Sequence, residues 1–474
     1  MTAPRYRPIS PLPRGARPGI SPREWKATPL NAPPGRAFEV THRGVFAIAI
    51  PMTVAYLSTP LVGVVNLGVV GNLGDPALVG GVSIGSLVFD IVFLTFNFLR
   101  AGTTGLVAQA YGAGDQREIA ATLARSLILA VAIGIVLLAF NAPIFALAQH
   151  LIGGSPAVGV ATRAYWNIRV FAAPMALANY VILGWLIGLG RAGYGLALQL
   201  VLNAVNIVVS VVLVHGFGFG VAGVGWASLA AESVTTLAGL AMIARLTDRS
   251  ALPDRARVLD LAAFRRMVVL NRDILIRSFA LMFAFAVFTA QSARAGDVIL
   301  AANEILMNLI IFAAYFLDGL AAAAEQLAGR AIGAQYRPAF DRAVRLTVMW
   351  GYVIGGALTL VLLLAGPAIV GVMTTSPPVR AAAGGVLVWA ALFPLCGTLA
   401  YQMDGVFIGA TWSVEMRNMM LLSLVIYLAV GGLLSLALGI VGWWIGLLVF
   451  LLVRGVTLAW RARVKVATAF GPQA

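Results

Sequence analysis

The sequence carries three carboxylates at related positions of one long apolar stretch, residues 297–334. Glu304, Asp318 and Glu325 are spaced by 14 and 7 residues, and multiples of seven return to nearly the same face of a helix, drifting by about 20° per heptad. An ionisable group inside a membrane span is costly and is therefore a functional candidate by default. The stretch thus predicts a helix that handles ions or charged substrates.

Carboxylates in such surroundings could couple two transport events. Burial in a low-dielectric medium can raise the pKa of a carboxyl group by about 3 to 5 units, and a nearby cation lowers it again. A proton and a cationic substrate then compete for one site, which is the simplest form of antiport. Asp90 and Asp404 also lie within apolar stretches, so they join Glu304 as candidates for coupling or substrate binding.

The other two carboxylates of the stretch suggest a different role. Asp318 and Glu325 fall near the end of the helix that also holds Arg330, and Arg100 lies at the same end of an earlier span. Paired charges are the usual way to keep ions at membrane depth. We therefore predict that Asp318, Glu325 and Arg100 form structural ion pairs that hold an inner gate closed. Glu232 is predicted to make a packing or interhelical hydrogen-bond contact.

The composition determines what kind of element must position these residues. Of 474 residues 60% are hydrophobic and 11% are charged, with a mean hydropathy of +0.92, whereas about a quarter of the residues of soluble domains are charged. The chain is therefore predicted to be a polytopic membrane protein. Fifty-one glycines fit helices that pack closely through small residues, and a barrel would instead show short alternating segments. The predicted fold class is all-α.

Several classes of function are disfavoured by what the sequence lacks. The single Cys396 excludes an internal disulfide, and the scattered His42, His150 and His215 predict no metal site. None of the histidines lies near a nucleophile or carboxylate cluster, so an intramembrane enzyme is not expected. The glycine-rich turns lack the strand context of a nucleotide-binding fold, and no cofactor is predicted.

The net charge of +15 is explained by membrane orientation rather than by nucleic acid. If the N-terminal tail is cytoplasmic, the inner segments hold 26 of the 33 Lys and Arg residues, and the outer ones hold only Arg163, Arg294 and Arg380. The positive-inside rule then places both termini in the cytoplasm. Residues 1–43 are rich in Pro and Arg and have no apolar core segment, so a flexible tail is predicted there instead of a signal peptide.

Twelve apolar spans bounded by loop signals are predicted. They cover residues 44–70, 77–113, 120–148, 163–190, 193–215, 221–245, 267–292, 297–335, 340–373, 380–411, 415–438 and 441–462. The predicted organisation is a cytoplasmic tail at 1–43, an N-lobe at 44–246, a cytoplasmic loop at 247–266, a C-lobe at 267–462 and a cytoplasmic tail at 463–474. Pro51 and Pro60 lie inside the first span, where each removes a backbone hydrogen bond and is expected to bend the helix.

The two lobes repeat each other in sequence. Leu106-Val-Ala-Gln-Ala-Tyr-Gly-Ala recurs 221 residues later as Leu327-Ala-Gly-Arg-Ala-Ile-Gly-Ala, and Gly184-Trp-Leu-Ile-Gly recurs at the same offset as Gly405-Val-Phe-Ile-Gly. Because six spans are an even number, both halves enter the bilayer from the same side. This predicts parallel repeats related by a pseudo-two-fold axis along the membrane normal, with the substrate site between them.

Three segments together resemble one transporter family. Phe98-Leu-Arg-Ala-Gly-Thr-Thr-Gly, Tyr315-Phe-Leu-Asp-Gly-Leu and Tyr401-Gln-Met-Asp-Gly-Val-Phe-Ile-Gly resemble the multidrug and toxic compound extrusion (MATE) transporters, most closely their DNA-damage-inducible F branch. The resemblance covers residues 44–462. It implies twelve helices in two six-helix lobes around a cavity that opens alternately to each side, and export of amphipathic organic cations in exchange for protons or sodium ions.

The resemblance also bears on individual residues. Asp404 matches the tenth-helix aspartate of the wider family, whereas the first-helix aspartate of the branch is replaced here by Asn66. An amide can hydrogen-bond a substrate or help to ligate sodium, but it cannot exchange a proton. The predicted coupling and substrate residues are therefore Asp404, Asp90, Glu304 and Asn66. The predicted cavity contacts, chosen as aromatic and Met side chains near these carboxylates, are Tyr315, Tyr401, Met403 and Phe407.

The sequence thus predicts a secondary antiporter of the cell membrane, without a cofactor, that exports amphipathic cationic compounds in exchange for protons or sodium. Its expected partners are small organic substrates, the coupling ion and the lipid bilayer, with no nucleic acid, and it is expected to be a monomer. The alternative is a flippase for lipid-linked precursors with the same architecture, whose cavity would need many cations to bind pyrophosphate. Only Arg100, Arg169, Arg277 and Arg454 lie in spans, which disfavours that alternative.

Overall fold

The computed structural model of the protein describes residues 38–153, 155–247 and 252–470. In this part of the chain it contains sixteen α-helices. Those before the linker between the lobes are α1 (His42–Gly71), α2 (Pro76–Thr95), α3 (Phe98–Gly112), α4 (Gln116–Ala139), α5 (Asn141–Ile152), α6 (Pro156–Arg169), α7 (Ala173–Gly188), α8 (Ala192–Val211) and α9 (Gly220–Leu246). The others are α10 (Arg255–Val258), α11 (Leu261–Arg294), α12 (Asp297–Gly333), α13 (Arg337–Met373), α14 (Pro377–Gly409), α15 (Ser413–Leu438) and α16 (Ile440–Ala469).

Twelve helical segments of the described chain are long and apolar enough to cross a membrane. The prediction of an all-α protein with twelve spans is confirmed. Some spans are interrupted, and the fourth consists of α6, a short 3₁₀ turn at Val170–Ala172 and α7. The turn arises because Pro174 has no N–H to donate to the carbonyl of Val170. Pro51 and Pro60, by contrast, lie inside the uninterrupted α1.

Several ends of the predicted segments differ from the structure, including the third span, whose helix ends at Ala139 rather than 148, and the fourth, which begins at Pro156 rather than 163. The last helix, α16, extends seven residues beyond the predicted end at 462, because no Gly or Pro interrupts the sequence between Gly455 and Gly471. The seventh span begins at Leu261 rather than 267, where Asp260 caps α11 by accepting hydrogen bonds from the backbone N–H groups of Ala262 and Ala263. Most of the predicted N-terminal tail, and residues 248–251 of the predicted loop, lie outside the described residues.

The apolar cores show how the two lobes meet. One cluster draws residues from both lobes, including Leu99 of α3, Leu327 of α12 and Phe407 of α14. A second cluster, around Phe288 and Trp444, belongs to the C-lobe alone. A third, which includes Phe89, Tyr165 and Trp166, belongs to the N-lobe alone. The lobes therefore share a core at the end of the bundle that carries the linker, which we call the linker end. They have separate cores at the opposite end.

A tight seam closes the linker end between α3 of the N-lobe and helices α12 and α14 of the C-lobe. A Cβ on Gly105 would overlap the carbonyl oxygen of Ile408, and one on Gly333 would overlap that of Gln109. Gln109 donates a hydrogen bond from Nε2 to the carbonyl oxygen of Gly409 at 3.0 Å. Backbones that approach this closely tolerate only small residues, so the seam depends on these glycines.

At the opposite end a cleft separates the lobes. The first half of α12 exposes Glu304, Asn308 and Phe312, with Tyr315 half-buried on the same face. Further along α12, the same helix packs against α1, where a Cβ on Gly319 would overlap Thr53. One helix is therefore the wall of a cleft in its first half and part of the closed contact in its second.

Candidate functional site

Asp404 of α14 lies where three helices of the C-lobe meet. It is only 5% exposed, and its Oδ2 accepts a hydrogen bond from Nη2 of Arg454 in α16 at 2.8 Å. Arg277 of α11 donates to the same oxygen. The guanidinium of Arg454 lies over the rings of Tyr401 and Phe450, with centroids at 5.6 and 5.9 Å. Two cations on one carboxylate satisfy its charge and tie α11, α14 and α16 together.

Asp318 of α12 lies beside this cluster but has no direct partner. It is half-buried, and it makes no hydrogen bond or ion pair with any residue that the structure describes. The charges of Arg100, Arg277 and Arg454 act on it from nearby. Asp318 is thus a half-buried carboxylate in the field of three cations that has no direct partner among the described residues. The predicted ion pair of Asp318 is not present in this conformation.

Glu325, two turns further along α12, forms an ion pair that crosses between the lobes. Arg100 of α3 donates from Nη1 to Oε2 of Glu325 at 3.4 Å, and the carboxylate is 2% exposed. Arg330 instead stacks on the rings of Phe38 and Tyr111. The pair lies where the predicted inner gate would be, and its role as a gate stays a prediction.

Asn66 is enclosed within the N-lobe. Its Oδ1 accepts a hydrogen bond from the hydroxyl of Ser210 in α8 at 3.0 Å, and the side chain is 5% exposed. One turn of α8 earlier, Asn206 donates from Nδ2 to the hydroxyl of Ser228 at 3.1 Å. These two hydrogen bonds join α1, α8 and α9, and the Ser228 hydroxyl also accepts from Arg169 of α6. No carboxylate among the described residues takes part in them.

The two remaining carboxylate candidates are exposed on the walls of the cleft. Asp90 of α2 makes no hydrogen bond or ion pair within the described ranges, and its charge acts on Tyr315 of the facing α12. Glu304 lies nearer the open end, where Thr289 of α11 donates to its Oε1 at 3.4 Å. Neither carboxylate forms an ion pair among the described residues.

The four predicted cavity contacts divide into two groups. Tyr315 and Tyr401 are half-buried beside Asp318 and Asp404. Met403 and Phe407 are 2% and 0% exposed and belong to the core that both lobes share at the linker end. In this conformation Tyr315 and Tyr401 border the charged site, whereas Met403 and Phe407 pack inside the closed contact.

Sequence reasoning did not identify two tyrosines that the structure adds to the site. Tyr56 of α1 lies beside Arg100, Asp318 and Glu325. Tyr180 of α7 lies among the charges of the N-lobe and beside Arg100. Tyrosines are common near the membrane interfaces, so a single tyrosine in a span gives no signal by itself. Only the packing of the helices shows that both rings line the charged region between the lobes.

Both halves of the chain are similar to known proteins. The family model described as MatE matches residues 51–212 and again residues 274–433, so one model fits both lobes. DNA damage-inducible protein F of Escherichia coli strain K12 is 37% identical over 435 residues, which cover 90% of this chain and 94% of that protein. The matched length leaves no lobe without a counterpart.

Solved structures show the same fold at low sequence identity. A structure described as MATE in the bent conformation has a TM-score of 0.82 at 18% identity, with 90% of this chain and 96% of the other covered. A second, described as the outward-facing conformation of a multidrug resistance MATE family transporter of the MOP superfamily, has a TM-score of 0.80 at 18% identity, with the same two coverages. Both similarities support the two-lobe architecture.

Proposed function

Since the chain belongs to the MatE family of multidrug efflux transporters, we propose that it is a secondary antiporter exporting amphipathic organic cations in exchange for protons. Sodium is the alternative coupling ion. The observation that carries the proposal is Asp318, an open carboxylate between the lobes with no direct partner among the described residues. A transporter that is not coupled to an ion has no need of such a group. An antiporter requires a group that two ligands can occupy in turn.

The exchange at Asp318 follows from competition between two cations. An organic cation bound beside Asp318 leaves when a proton or sodium ion occupies the same carboxylate, because a neutralised group no longer attracts the substrate. Asp404, held by Arg277 and Arg454, remains part of the proposed coupling unit, since these two guanidinium groups act on both carboxylates. Loading Asp318 therefore changes the balance of charge across the whole cluster.

Alternating access in this proposal uses the seam at the linker end. For that end to open, Arg100 must separate from Glu325 and Gln109 must release Gly409. A ligand that binds the open and closed states with different affinity shifts their populations by that difference alone. We propose that occupation of Asp318, one turn from the shared core, supplies this difference.

The other predicted site residues take substrate roles in the proposal. Asp90 and Glu304 form a path of exposed carboxylates along the cleft, and Tyr315 and Tyr401 offer aromatic surface next to the charged site. Asn66 Oδ1 could bind sodium only if its hydrogen bond from Ser210 were broken. We therefore assign Asn66 a structural role in the proton-coupled cycle. The Tyr401 ring also contacts the guanidinium of Arg454.

The linker end is proposed to face the cytoplasm, in a monomer of the cell membrane. The support is the distribution of basic residues, which places the Lys- and Arg-rich termini and linker on the inner side. With that orientation the structure corresponds to an outward-open state. The flippase alternative receives little support, because Arg277 and Arg454 are occupied by Asp404 and Arg100 by Glu325.

The proposal is tested with purified protein in liposomes and a fluorescent amphipathic cation such as ethidium. A pH gradient at clamped membrane potential is expected to drive transport by the wild-type protein. Asp318→Asn is expected to lower the affinity for the cation about tenfold or more, because a hydrogen bond to a charged group is worth about 1.5 to 3 kcal/mol. Asp341→Asn is the control, since the Asp341 side chain is 49% exposed on α13 and its ion pair among the described residues is with Arg337, four residues away.

Two results would contradict the proposal. Transport driven by a sodium gradient but not by a pH gradient would replace the proton with sodium as the coupling ion. Unchanged pH-driven transport in Asp318→Asn would remove Asp318 from the coupling site, and the comparison with Asp404→Asn would then show whether Asp404 takes its place.

A further inference from the structure

A narrow groove runs along the outside of α1 where the two lobes meet, and we call it the α1–α13 groove. Its N-lobe wall is one face of α1, formed by residues at intervals of three and four that include Phe46, Ile50, Val54 and Leu57. Its C-lobe wall consists of Phe316 and Leu320 of α12 and Ile354 of α13. The groove therefore has one wall on each lobe.

The groove is open towards the membrane. It lies in the half of the molecule where α1 and α12 are in close contact, so that a Cβ on Gly319 would overlap Thr53. Ile50 and Val54 of its wall are nevertheless 58% and 43% exposed. In a chain with twelve helices able to cross a membrane, apolar side chains that are exposed beside such a closed contact face lipid.

The groove is too small and too apolar for the exported compounds of the proposed function. Its volume is about 230 Å³, whereas pockets for drug-sized ligands measure about 300 to 1,000 Å³. Thr53 is the one polar residue that the described chain contributes to its lining. From Phe46 to Leu57 the groove follows α1 over about 16 Å, which is about half of a hydrocarbon core of about 30 Å. These dimensions fit one hydrocarbon chain within one leaflet.

Basic and aromatic groups lie at the linker end of the groove. Arg43 is exposed and precedes Phe46 by three residues, so it lies on the same face of α1. Arg342 of α13 reaches across to Glu39, just ahead of α1, at 3.3 Å, but the two side chains are 49% and 70% exposed, and such a pair is weak. Trp350 packs on Phe46, and tryptophans are enriched where headgroups meet hydrocarbon. This end of the groove therefore suits an anionic headgroup.

We propose that the α1–α13 groove binds an anionic phospholipid, and that the bound lipid holds the linker end closed. One acyl chain lies along the segment from Phe46 to Leu57, and the phosphate binds Arg43 and Arg342, whose planar donors match phosphate oxygens. The lipid comes from the leaflet at the linker end, which is the anionic leaflet when that end faces the cytoplasm. The site is separate from the carboxylates assigned to export, so the inference goes beyond the proposed function.

The link between the lipid and closure follows from the two walls. An acyl chain in the groove contacts α1 of one lobe and α12 and α13 of the other. When the linker end opens, α1 separates from α13, and the hydrogen bond between Trp350 and His42 is lost. The acyl chain then loses its contacts with one wall. A ligand that binds one state more tightly shifts the populations by that difference in affinity, so the lipid favours the closed state.

Photo-crosslinking locates the lipid. A phosphatidylglycerol with a diazirine on one acyl chain is added to the purified full-length protein in detergent, and the crosslinked peptides are identified by mass spectrometry. In the wild-type protein, crosslinks are expected in the segment from Phe46 to Leu57. Unlabelled phosphatidylglycerol is expected to displace the probe at an about tenfold lower concentration than phosphatidylcholine with the same chains, because only the first presents a net negative charge to the two arginines.

Val54→Trp fills the groove and is expected to abolish crosslinking in this segment. Leu61→Trp is the matched control, because Leu61 lies on the same helix, is 60% exposed and is not part of the lining. The double variant Arg43→Gln with Arg342→Gln is expected to keep the crosslinks but to lose the preference for phosphatidylglycerol. If Val54→Trp does not fold, as judged by gel filtration, Ile50→Trp replaces it, since the exposed Ile50 position accepts a larger ring.

Distances between spin labels measure the effect on closure. Labels at Arg117→Cys in α4 and Arg463→Cys in α16 report the separation of the lobes without altering a helix of the groove, and Cys396→Ser removes the native thiol. In nanodiscs that contain phosphatidylglycerol, the ratio of closed to open wild-type protein is expected to be about fivefold or more higher than in phosphatidylcholine alone, as for a typical coupling between two sites. Val54→Trp should show the same ratio in both lipids, and Leu61→Trp should respond like the wild type.

Three results would overturn the proposal. Equal displacement by the two phospholipids in the wild-type protein would show that any lipid or detergent chain fills the groove. Equal ratios of closed to open wild-type protein in the two lipids would remove the effect on closure. A lipid response that Val54→Trp retains would place the anionic lipid elsewhere on the protein. None of these measurements uses a substrate or an ion gradient, so they decide the lipid site even if the proposed antiport fails.

Discussion

Asp318 and Asp404 are both carboxylates near the same arginines, but only Asp404 forms direct ion pairs with them among the described residues. Asp404 receives two guanidinium groups on one oxygen, so its removal leaves buried cations without an anion. Asp318 forms no direct bond with any described residue, so its removal breaks none. Removing the Asp404 carboxylate should therefore lower the free energy of unfolding, whereas removing the Asp318 carboxylate should affect transport alone.

Asp404→Asn is expected to lower the free energy of unfolding by about 3 to 5 kcal/mol, because breaking a buried ion pair from one side leaves an uncompensated charge. Asp318→Asn is expected to change it by less than about 1 kcal/mol, as for substitutions that remove no contact. Thermal unfolding in detergent, followed by tryptophan fluorescence, compares the two variants with exposed Asp341→Asn. A loss of stability in Asp404→Asn no larger than that in Asp341→Asn would show that Asp404 is not a structural junction.

The sequence located these carboxylates within spans but could not assign their partners. Arg277 and Arg454 are 127 and 50 residues away from Asp404 in the chain. Their convergence depends on how α11 and α16 pack on α14, which helical periodicity does not specify. The same limit explains Asp318, for which an ion pair was predicted from its place at the gate end of the helix. Glu325, which follows Asp318 by two turns of α12, is the residue that pairs with Arg100 of α3.

At the scale of elements, α12 combines two surfaces in one helix of 37 residues. Its heptad-related carboxylates predicted one functional face, and on that face Glu304 is exposed and Asp318 is half-buried. Beyond Gly319 the helix is almost wholly buried against helices of both lobes. The sequence signals of this change are the small residues between Gly319 and Gly333, which permit close contact but do not reveal which helix will be approached.

Gly333→Ala is expected to weaken closure of the linker end, because the added Cβ overlaps the carbonyl oxygen of Gln109 in α3. Overpacking of a tight contact costs about 1 to 3 kcal/mol, so the closed population should fall about fivefold to a hundredfold relative to the open one. The readout is the distance between spin labels at Arg117→Cys and Asp341→Cys, with Cys396→Ser removing the native thiol.

Gly356→Ala provides the control for this prediction. It makes the same change in α13, where a Cβ on Gly356 meets nothing within 4 Å. The label distances should be unaltered in Gly356→Ala and should lengthen in Gly333→Ala. Identical distance distributions in the two variants would show that the glycine contact does not control closure.

At the scale of the whole molecule, residues at the start of each lobe contact the other lobe. At the start of α1, Nε1 of Trp350 in α13 donates to Nδ1 of His42 at 3.0 Å, and the ring of Phe46 packs on Trp350. Ahead of α11, Arg257 of α10 donates to Asp115 and Glu118 at the start of α4. The first contact attaches the N-lobe to the C-lobe, and the second attaches the C-lobe to the N-lobe.

The internal repeat explains why these contacts come as a pair. The sequence repeat predicted two equivalent lobes, and the family model that matches both halves supports that equivalence. A pseudo-two-fold axis brings the entry of each lobe to the same place on its partner. The chemistry of the two contacts differs, since one is aromatic and the other ionic, and for this reason sequence comparison of the halves did not reveal them.

Both contacts must release when the linker end opens, and their chemistry predicts how each variant responds to salt. Arg257→Gln removes a partly exposed ionic contact worth about 1 kcal/mol at most, so the open population should rise by up to about fivefold at low ionic strength. At about 1 M salt, where screening acts over about 3 Å, the difference from wild type should largely disappear. Trp350→Leu should also favour opening, but equally at both salt concentrations.

Lys465→Gln removes an ion pair with Glu415 inside the C-lobe and should leave the distance between labels at Arg117→Cys and Asp341→Cys unchanged. A shift in Lys465→Gln as large as that in Arg257→Gln would show that loss of any surface charge at this end opens the lobes, and that the contact between them is not what holds them closed.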